Sequence, residues 1–426
     1  MRDERHHFRA QAAAMGATRR FAAHCAAALA LACAGAAAPS AQAQAQTVYN
    51  IAGYVDYTGP FAVSMPSFDG GRKAVIEWWN QEVGAKEGVR LAYKAYDMRY
   101  DASQAASLWP GIKSELSPIA VMSMGGPDST ALQARLPDDR IPAMLGLPAY
   151  GFTWKEGSWV YNPRPTNAHE VAGFIDWFQA ERLKGARPVK FAMVTAESPA
   201  FMDTVRGVQS YLKTSRKGEL IEVITTDMQP ADLTLQVRRV INAGADFIVV
   251  YGNGPQAVAT KRATQALGKK VPILIPSHVS LAALGKSLGS MEALEGDFES
   301  GSVALATDDD SEAKQFYGML TQKYGLKQPW VSTTIMGMAN ALFVVRVTEA
   351  AIAKVGAKNL NGAALQSVLA NGKFDASLFN GVLPGFTLSN NISFPLVGTR
   401  VNVATVSGGK IVYAVQGAPI PTVEKW

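Results

Sequence analysis

Cysteine and histidine are nearly missing from this chain. Its only cysteines are Cys25 and Cys33, both before residue 45, so the rest has no disulfide to staple it and must be held by its core. Past residue 45 only His169 and His278 occur, too few for a His/Cys metal cluster. No Gly-x-Ser-x-Gly elbow is present, and a Ser/His/Asp triad would have to use one of those two histidines. An excess of one charge is missing as well. Removing the five arginines and two acids of residues 1–45 from 41 basic and 35 acidic residues leaves 36 and 33, a net of about +3. That balance lacks the clustered Lys and Arg that nucleic acid requires. Low-complexity sequence is absent past residue 46.

What is present begins with an export segment. Arg19 and Arg20 precede an Ala-rich apolar run, Phe21 to Ala38, and "APSAQA" offers small-residue cleavage after Ala43 or Ala45, so residues 1–45 are expected to be a signal peptide. A membrane anchor, a lipoprotein through Cys33 in "ALAC", and a twin-arginine signal in "TRRF" are the other readings; the run is short for a span and both motifs are incomplete. The 48% apolar share fits a folded protein, and 426 residues exceed what one core supports, so two domains are expected.

From Thr47 onward strand-like runs alternate with helical periods. "VYNIAGYV" precedes a helix from about Pro66 to Val83, with Val75, Ile76 and Trp79 at helical spacing and Gly84 ending it. "VRLAYKAYD" leads to a helix over 102–116, "IAVMSMG" to one near 128–135, and "PAMLGL" to an aromatic loop. A second series follows "YNPRPTN": helices at 168–184, 200–214, 232–243 and 255–268 between "VKFAMVT", "IEVITTD", "DFIVVYG" and "VPILIPS". This alternation predicts an α/β fold of two doubly wound, parallel-sheet lobes. Residues 381–416 break the rhythm and read as added strands. Ligands of such sheets bind beyond the strand carboxyl ends. The candidate loops are therefore 56–67, 122–130, 146–151, 195–201, 252–256 and 277–280, three from each lobe.

Four stretches carry a resemblance: "YTGPF", "GGRKAVIEWWN", "YDMRYDASQA" and "ADLTLQVRRVINAGADFIVVYG". In this order and spacing the chain resembles the branched-chain amino acid (Leu/Ile/Val)-binding type of periplasmic solute-binding protein, the type I receptor of an ABC importer, over nearly all of residues 47–416. The resemblance implies a clamshell: lobe 1 from 47–163 plus 301–384, lobe 2 from 164–300 plus 385–426, and hinge segments near 161–166, 296–302 and 381–394. It implies a monomeric, non-enzymatic periplasmic protein without cofactor or metal that hands a small carboxylate or amino acid to a membrane permease. In the family, loop N–H and hydroxyl groups hold the ligand carboxylate. They correspond here to "GGPDST", where Gly126, Ser129 or Thr130 would donate because Pro127 has no N–H and Gly125 is a further candidate contact, and to Pro148, Ala149 and Tyr150. The family's aromatic residue corresponds to Ala200–Phe201, and its ammonium-pairing acid falls at Ser277. The expected solute is a branched-chain or other hydrophobic amino acid; Ser277 is neutral, which makes an aromatic or other hydrophobic organic acid or amide the alternative. Asp56, Asp69 and Asp203 could replace the acid only by facing the cleft.

The candidate ligand contacts are completed by Tyr57 and Thr58 in the first loop, Asn253 and Gly254 in "GNGPQA", and His278. "GNGPQA" also fits a dinucleotide turn, but the next strand ends in Ser277 and not in an acid for a ribose. At least one of Tyr57, Tyr150, Phe152 and Trp154 is expected to form the apolar wall against a ligand, and Trp78 and Trp79 to pack on one helix. His169 is expected at the surface, Asp97 at a strand end, Asp101 and Asp128 as helix caps, and Arg164 in a hinge. The alternatives of another class are a hydrolase-like enzyme and a ligand-sensing domain; the first lacks base, elbow and metal set, and no output segment follows up to Trp426.

Overall fold

The structure, a computed structural model, describes residues 46–268 and 270–426. The expected signal peptide, with Cys25 and Cys33, lies outside the described residues. Sequence periodicity translates directly into the first layers. Strand β1 (Thr47–Val55) buries its last five residues, helix α1 (Met65–Trp79) puts Val75, Ile76 and Trp79 inside, and β2 (Val89–Asp97) pairs with β1 in parallel from Thr47↔Val89 to Val55↔Asp97. Gly84 does not end this helix. The path continues through a π turn at Asn80–Gly84 and a last turn at Ala85–Glu87, and stops at Gly88, whose φ of 68° suits the left-handed position that closes a helix.

Helix α2 (Ala102–Leu116), capped by Asp101 on the Gln104 N–H, leads to β3 (Ala120–Ser123), α3 (Pro127–Leu132), β4 (Ala143–Leu145) and β5 (Val160–Tyr161). These strands form one parallel sheet in the order β2-β1-β3-β4-β5. The second series is α4 (Asn167–Glu181), β6 (Val189–Ala196), α5 (Pro199–Thr214), β7 (Gly218–Thr226), α6 (Thr234–Asn242), β8 (Phe247–Val250), α7 (Gly254–Ala266), β9 (Ile273–Pro276), α8 (Leu281–Leu288) and β10 (Phe298–Gly301). Its strands lie parallel in the order β10-β9-β8-β6-β7.

The chain then returns to the first sheet through α9 (Glu312–Lys323), α10 (Ser332–Val355) and α11 (Gly362–Leu369). Helix α10 is long and apolar enough to cross a membrane, yet 83% of its most apolar window is buried, packed on α1 and on β3 and β4. It is the central helix of its lobe. The added strands of the last segment divide: β11 (Lys373–Phe374) and β12 (Phe386–Thr387) make a separate antiparallel pair, while β13 (Arg400–Ser407) and β14 (Lys410–Pro419) extend the second sheet antiparallel to β10. The result is a two-lobed α/β protein in which the chain passes between the sheets three times.

One buried cation fixes the first lobe where the cleft begins. Arg72 on α1 is fully buried and donates to the carbonyls of Tyr54 (3.0 Å) and Ser123 (2.8 Å) and to Asn340 Oδ1 on α10 (2.8 Å), with its guanidinium 4.2 Å above the Phe68 ring. It thus ties α1, α10 and the carboxyl ends of β1 and β3 into one unit. The loops that follow those strands inherit its rigidity.

Candidate functional site

The loop after β3 is built by Asp128. Its Oδ2 accepts from the Met124 N–H (2.8 Å) and the Ser123 hydroxyl (2.6 Å), and its Oδ1 from the Gly125 N–H (3.0 Å). Asp128 therefore caps the loop before α3 and not the helix itself, whose N-cap is Gly126. Burial pushes the Asp128 carboxyl up, against the pull of these donors. Several groups expected to hold a ligand carboxylate are engaged locally: Ser129 Oγ lies 3.4 Å from Ser123 Oγ, and the Thr130 hydroxyl donates to the Gly126 carbonyl at 2.9 Å. Gly125 and Gly126 serve the cleft by lacking side chains. With φ of 132° and 59° they occupy backbone space closed to most residues. A Cβ on Gly125 would stand 3.0 Å from the Tyr150 hydroxyl, and one on Gly126 would stand 3.1 Å from the Tyr100 hydroxyl and 3.3 Å from Ala200 Cβ. Ala200 belongs to the second lobe, so the two lobes are in contact at this loop.

Five aromatic side chains close a circuit across that contact. Phe61 meets Tyr100 with ring centroids 4.7 Å apart, Tyr100 meets Phe201 at 6.3 Å, Phe201 meets Tyr251 at 5.7 Å, Tyr251 meets His278 at 5.8 Å, and His278 returns to Phe61 at 6.3 Å. Phe61 and Tyr100 come from loops after β1 and β2; Phe201 comes from the first turn of α5, and Tyr251 and His278 from the residues just after β8 and β9. Tyr100 and the preceding Arg99 both have left-handed backbone, φ of 55° and 54°, the kind of strain kept where the surrounding structure over-determines it. Tyr150 adds its hydroxyl beside Gly125, with its ring stacked on Phe152 at 4.9 Å. A cavity of about 200 Å³ opens next to the circuit, lined by Tyr100, Gly126, Pro127, Thr130, Pro199 and Ala200 among others. Burial drives the hydroxyls of Tyr100, Tyr150 and Tyr251 to stay protonated.

The floor carries one cation. Arg164, in the first crossover, is 2% exposed; its Nε and Nη2 reach Glu170 Oε1 (3.3 and 2.8 Å), and Nη2 also reaches Ser277 Oγ (3.0 Å). Glu170 accepts in addition from the Ser302 N–H in the second crossover (2.7 Å). Arg164 Nη1 has no partner among the described residues, nor has Thr195 Oγ1 at the end of β6. Ser277 Oγ lies 3.5 Å from Met336 Sδ on α10 and so touches the other lobe.

The remaining expectations divide. Phe201, Ala200, Tyr150, Gly125, Gly126, Ser277 and His278 gather at the cleft. Ala149 lies at the chain crossing, its N–H bonded to the Pro165 carbonyl (3.2 Å). Asn253 is spent on a reciprocal capping box with Gln256 and on the Met228 carbonyl, with Gly254 behind it in the first turn of α7. Tyr57 and Thr58 turn away: the Tyr57 hydroxyl donates to Asp69 at 2.5 Å and the Thr58 hydroxyl to Asp97 at 2.8 Å. Asp56 turns back on the Phe61 N–H through Oδ2, Asp69 holds Tyr57, Tyr93 and Lys73, and Asp203 holds the Gly151 N–H and the Trp426 indole. Trp154 walls no cleft; it packs on His169, Phe394 and Trp426 at 5.3 to 5.9 Å. His169 is accordingly not a surface residue but 3% exposed, its pKa pushed down to about 4 by burial. Sequence reasoning missed Phe61, Tyr100 and Tyr251. The signal available for all three was their place in the loops at strand carboxyl ends.

Comparisons with known proteins agree with this architecture. The valine-bound branched-chain amino acid ABC transporter protein of Thermus thermophilus superposes with a TM-score of 0.74 at 15% identity, covering 87% of this chain and 96% of that one. The fatty acid ABC transporter substrate-binding protein of Thermomonospora curvata gives 0.72 at 20% identity, over 89% and 97%. The R. palustris solute-binding protein in complex with 4-hydroxybenzoate gives 0.69 at 15%, over 88% and 98%. Identities this low establish the fold alone. No curated protein matches the sequence. The family model described as periplasmic binding protein matches residues 48–392, and with two parallel-sheet lobes meeting at their strand carboxyl ends, the chain belongs to the periplasmic binding protein family of solute-binding proteins.

Proposed function

We propose that the protein is the periplasmic receptor of an ABC importer, exported by a cleaved signal peptide, that closes as a monomer on a small aromatic or similarly flat, hydrophobic carboxylate and delivers it to a membrane permease without chemical turnover. The closed circuit Phe61–Tyr100–Phe201–Tyr251–His278 carries this reading: its rings come from both lobes and present faces and edges that a planar apolar body fills when the lobes separate and close again. The three crossovers, near 161–166, 296–302 and 381–394, are the flexing points between a lobe of 47–163 plus 301–384 and a lobe of 164–300 plus 385–426.

Charge decides between an acid and an amino acid. A buried ammonium without partners costs several kcal/mol, and each hydrogen bond to a charged group returns about 1.5–3 kcal/mol. Arg164 Nη1 and Thr195 Oγ1 are donors with capacity left for a carboxylate. Of the acids around the cleft, Asp128, Asp203 and Glu170 are engaged by N–H groups or by Arg164, and Asp56 accepts from the Phe61 N–H through Oδ2 while its Oδ1 meets no partner among the described residues. This favours a solute with a carboxylate and no ammonium over a branched-chain amino acid. A thermal-shift screen of the mature protein tests it: a true ligand at about 100 times its Kd adds about 2.7 kcal/mol of stability. Aromatic acids are expected to raise the melting point. A shift with neutral sugars or with leucine and valine, and none with aromatic acids, overturns the assignment, and turnover of a hit overturns the receptor role.

A further inference from the structure

His278 sits in the circuit with one ring nitrogen committed and the other open. Its Nε2 lies 2.9 Å from the Gly252 carbonyl oxygen. A carbonyl only accepts, so Nε2 carries the proton. Burial pushes the imidazole pKa down to about 4, further than the Gly252 bond restores, and Arg164 adds to the effect. The neutral ring therefore presents Nδ1 as a lone pair. That atom is buried and meets no donor among the described residues. The ring stands edge-on between Phe61 of one lobe (interplanar angle 68°) and Tyr251 of the other (86°), so Nδ1 is a buried acceptor at the seam where the lobes meet.

We propose that His278 is a specificity-determining residue: its Nδ1 accepts a hydrogen bond from a neutral donor on the solute, a hydroxyl carried on the apolar body, and so selects hydroxylated acids over their unsubstituted counterparts. The proposal rests on the receptor reading of this cleft. A carboxylate oxygen placed against the same lone pair would repel it, which assigns the two polar ends of the solute to different walls, the anion to donors such as Arg164 Nη1 and the hydroxyl to His278. An ammonium is served poorly by a neutral acceptor, whereas a hydroxyl needs no counter-charge.

Titration calorimetry of the mature protein with benzoate, the three monohydroxybenzoates and 4-methoxybenzoate tests the assignment. At least one hydroxybenzoate should bind roughly tenfold tighter than benzoate, the return expected of one hydrogen bond in a dry site. The methoxy acid, which keeps the oxygen but has no proton to give, should gain nothing. In His278→Phe the preference should fall to within about twofold. In His278→Gln, whose amide can donate to the Gly252 carbonyl and still offer an oxygen, it should persist. Equal affinities for benzoate and all three hydroxybenzoates overturn the role of His278 and leave the receptor reading standing; failure of every acid to bind overturns that reading and the inference with it. Should His278→Phe not fold, the wild-type comparison across the methoxy control decides alone.

Discussion

Replacing Glu170 by Gln keeps the shape of the hinge and removes only its negative charge. Glu170 Oε1 accepts three hydrogen bonds, two from Arg164 and one from the Ser302 N–H, and both charged side chains are 2% exposed. A glutamine oxygen can still accept from them, but Arg164 is left as a buried cation without a counter-charge. Breaking a buried pair from one side costs about 3–5 kcal/mol, a large part of the roughly 5–15 kcal/mol that holds a typical domain folded. Urea denaturation followed by tryptophan fluorescence should show that loss as a fall in midpoint at unchanged slope. The paired replacement Arg164→Met with Glu170→Met removes both charges and should recover most of it, because a well-packed apolar pair of similar volume is often neutral or stabilising in place of a buried ion pair. A loss under about 1 kcal/mol in Glu170→Gln, or a double variant worse than the single one, would refute the idea that this pair is a desolvated, mutually dependent latch.

Gly126→Ala forces a Cβ onto a left-handed residue 3.1 Å from the Tyr100 hydroxyl; a cost of about 1–3 kcal/mol should appear in thermal melts, together with weaker ligand binding by calorimetry. Tyr100→Ala removes one wall of the circuit and should weaken an aromatic acid by roughly 10- to 100-fold, the weight of about 1–3 kcal/mol lost from the apolar pocket. His169 has a folded pKa of about 4 against an ordinary 6.5, so it contributes stability that is present above pH 6.5 and lost as pH falls through 4. That difference amounts to about 3 kcal/mol, and His169→Phe should flatten the acid limb of the stability curve measured between pH 4 and 7. Glu299 runs the other way: burial lifts its pKa to about 7, so its contribution is present below pH 4.5 and lost as pH rises through 7. Glu299→Gln should then be more stable than the parent at pH 8, by about 2–3 kcal/mol, in parallel denaturation at both pH values.

The regular elements were legible because periodicity reports them directly. Helix α2 runs over the expected 102–116, and the strand "VRLAYKAYD" is β2 from end to end. Loop interiors were not legible. In "YTGPF" the tyrosine and threonine looked like contacts, yet it is Phe61 that enters the cleft, because Asp97 and Asp69 draw Thr58 and Tyr57 to the outer edge of the sheet. Those partners lie 12 and 39 residues away and no local pattern encodes them. His169 fails for the same reason: the rings that bury it are Trp154, Phe394 and Trp426. In "GGPDST" the residue types mark a loop rich in donors, but which of them Asp128 and the loop itself take depends on how tightly that loop closes. The loops at the strand carboxyl ends could thus be located from the sequence, and the orientation of their side chains only from packing.

The aromatic circuit also bears on how fast a solute can be captured. Two of its five contacts, Tyr100 with Phe201 and Phe61 with His278, run from one lobe to the other. Aromatic pairs of this kind are worth about 0.5–1.5 kcal/mol each beyond the area they bury, so the seam draws the two lobes together. A receptor that rests shut must first part this seam, and its apparent affinity falls by the fraction of time it spends open. Association would then level off at the opening rate as solute concentration rises, and a weaker seam would buy speed of capture at the expense of retention.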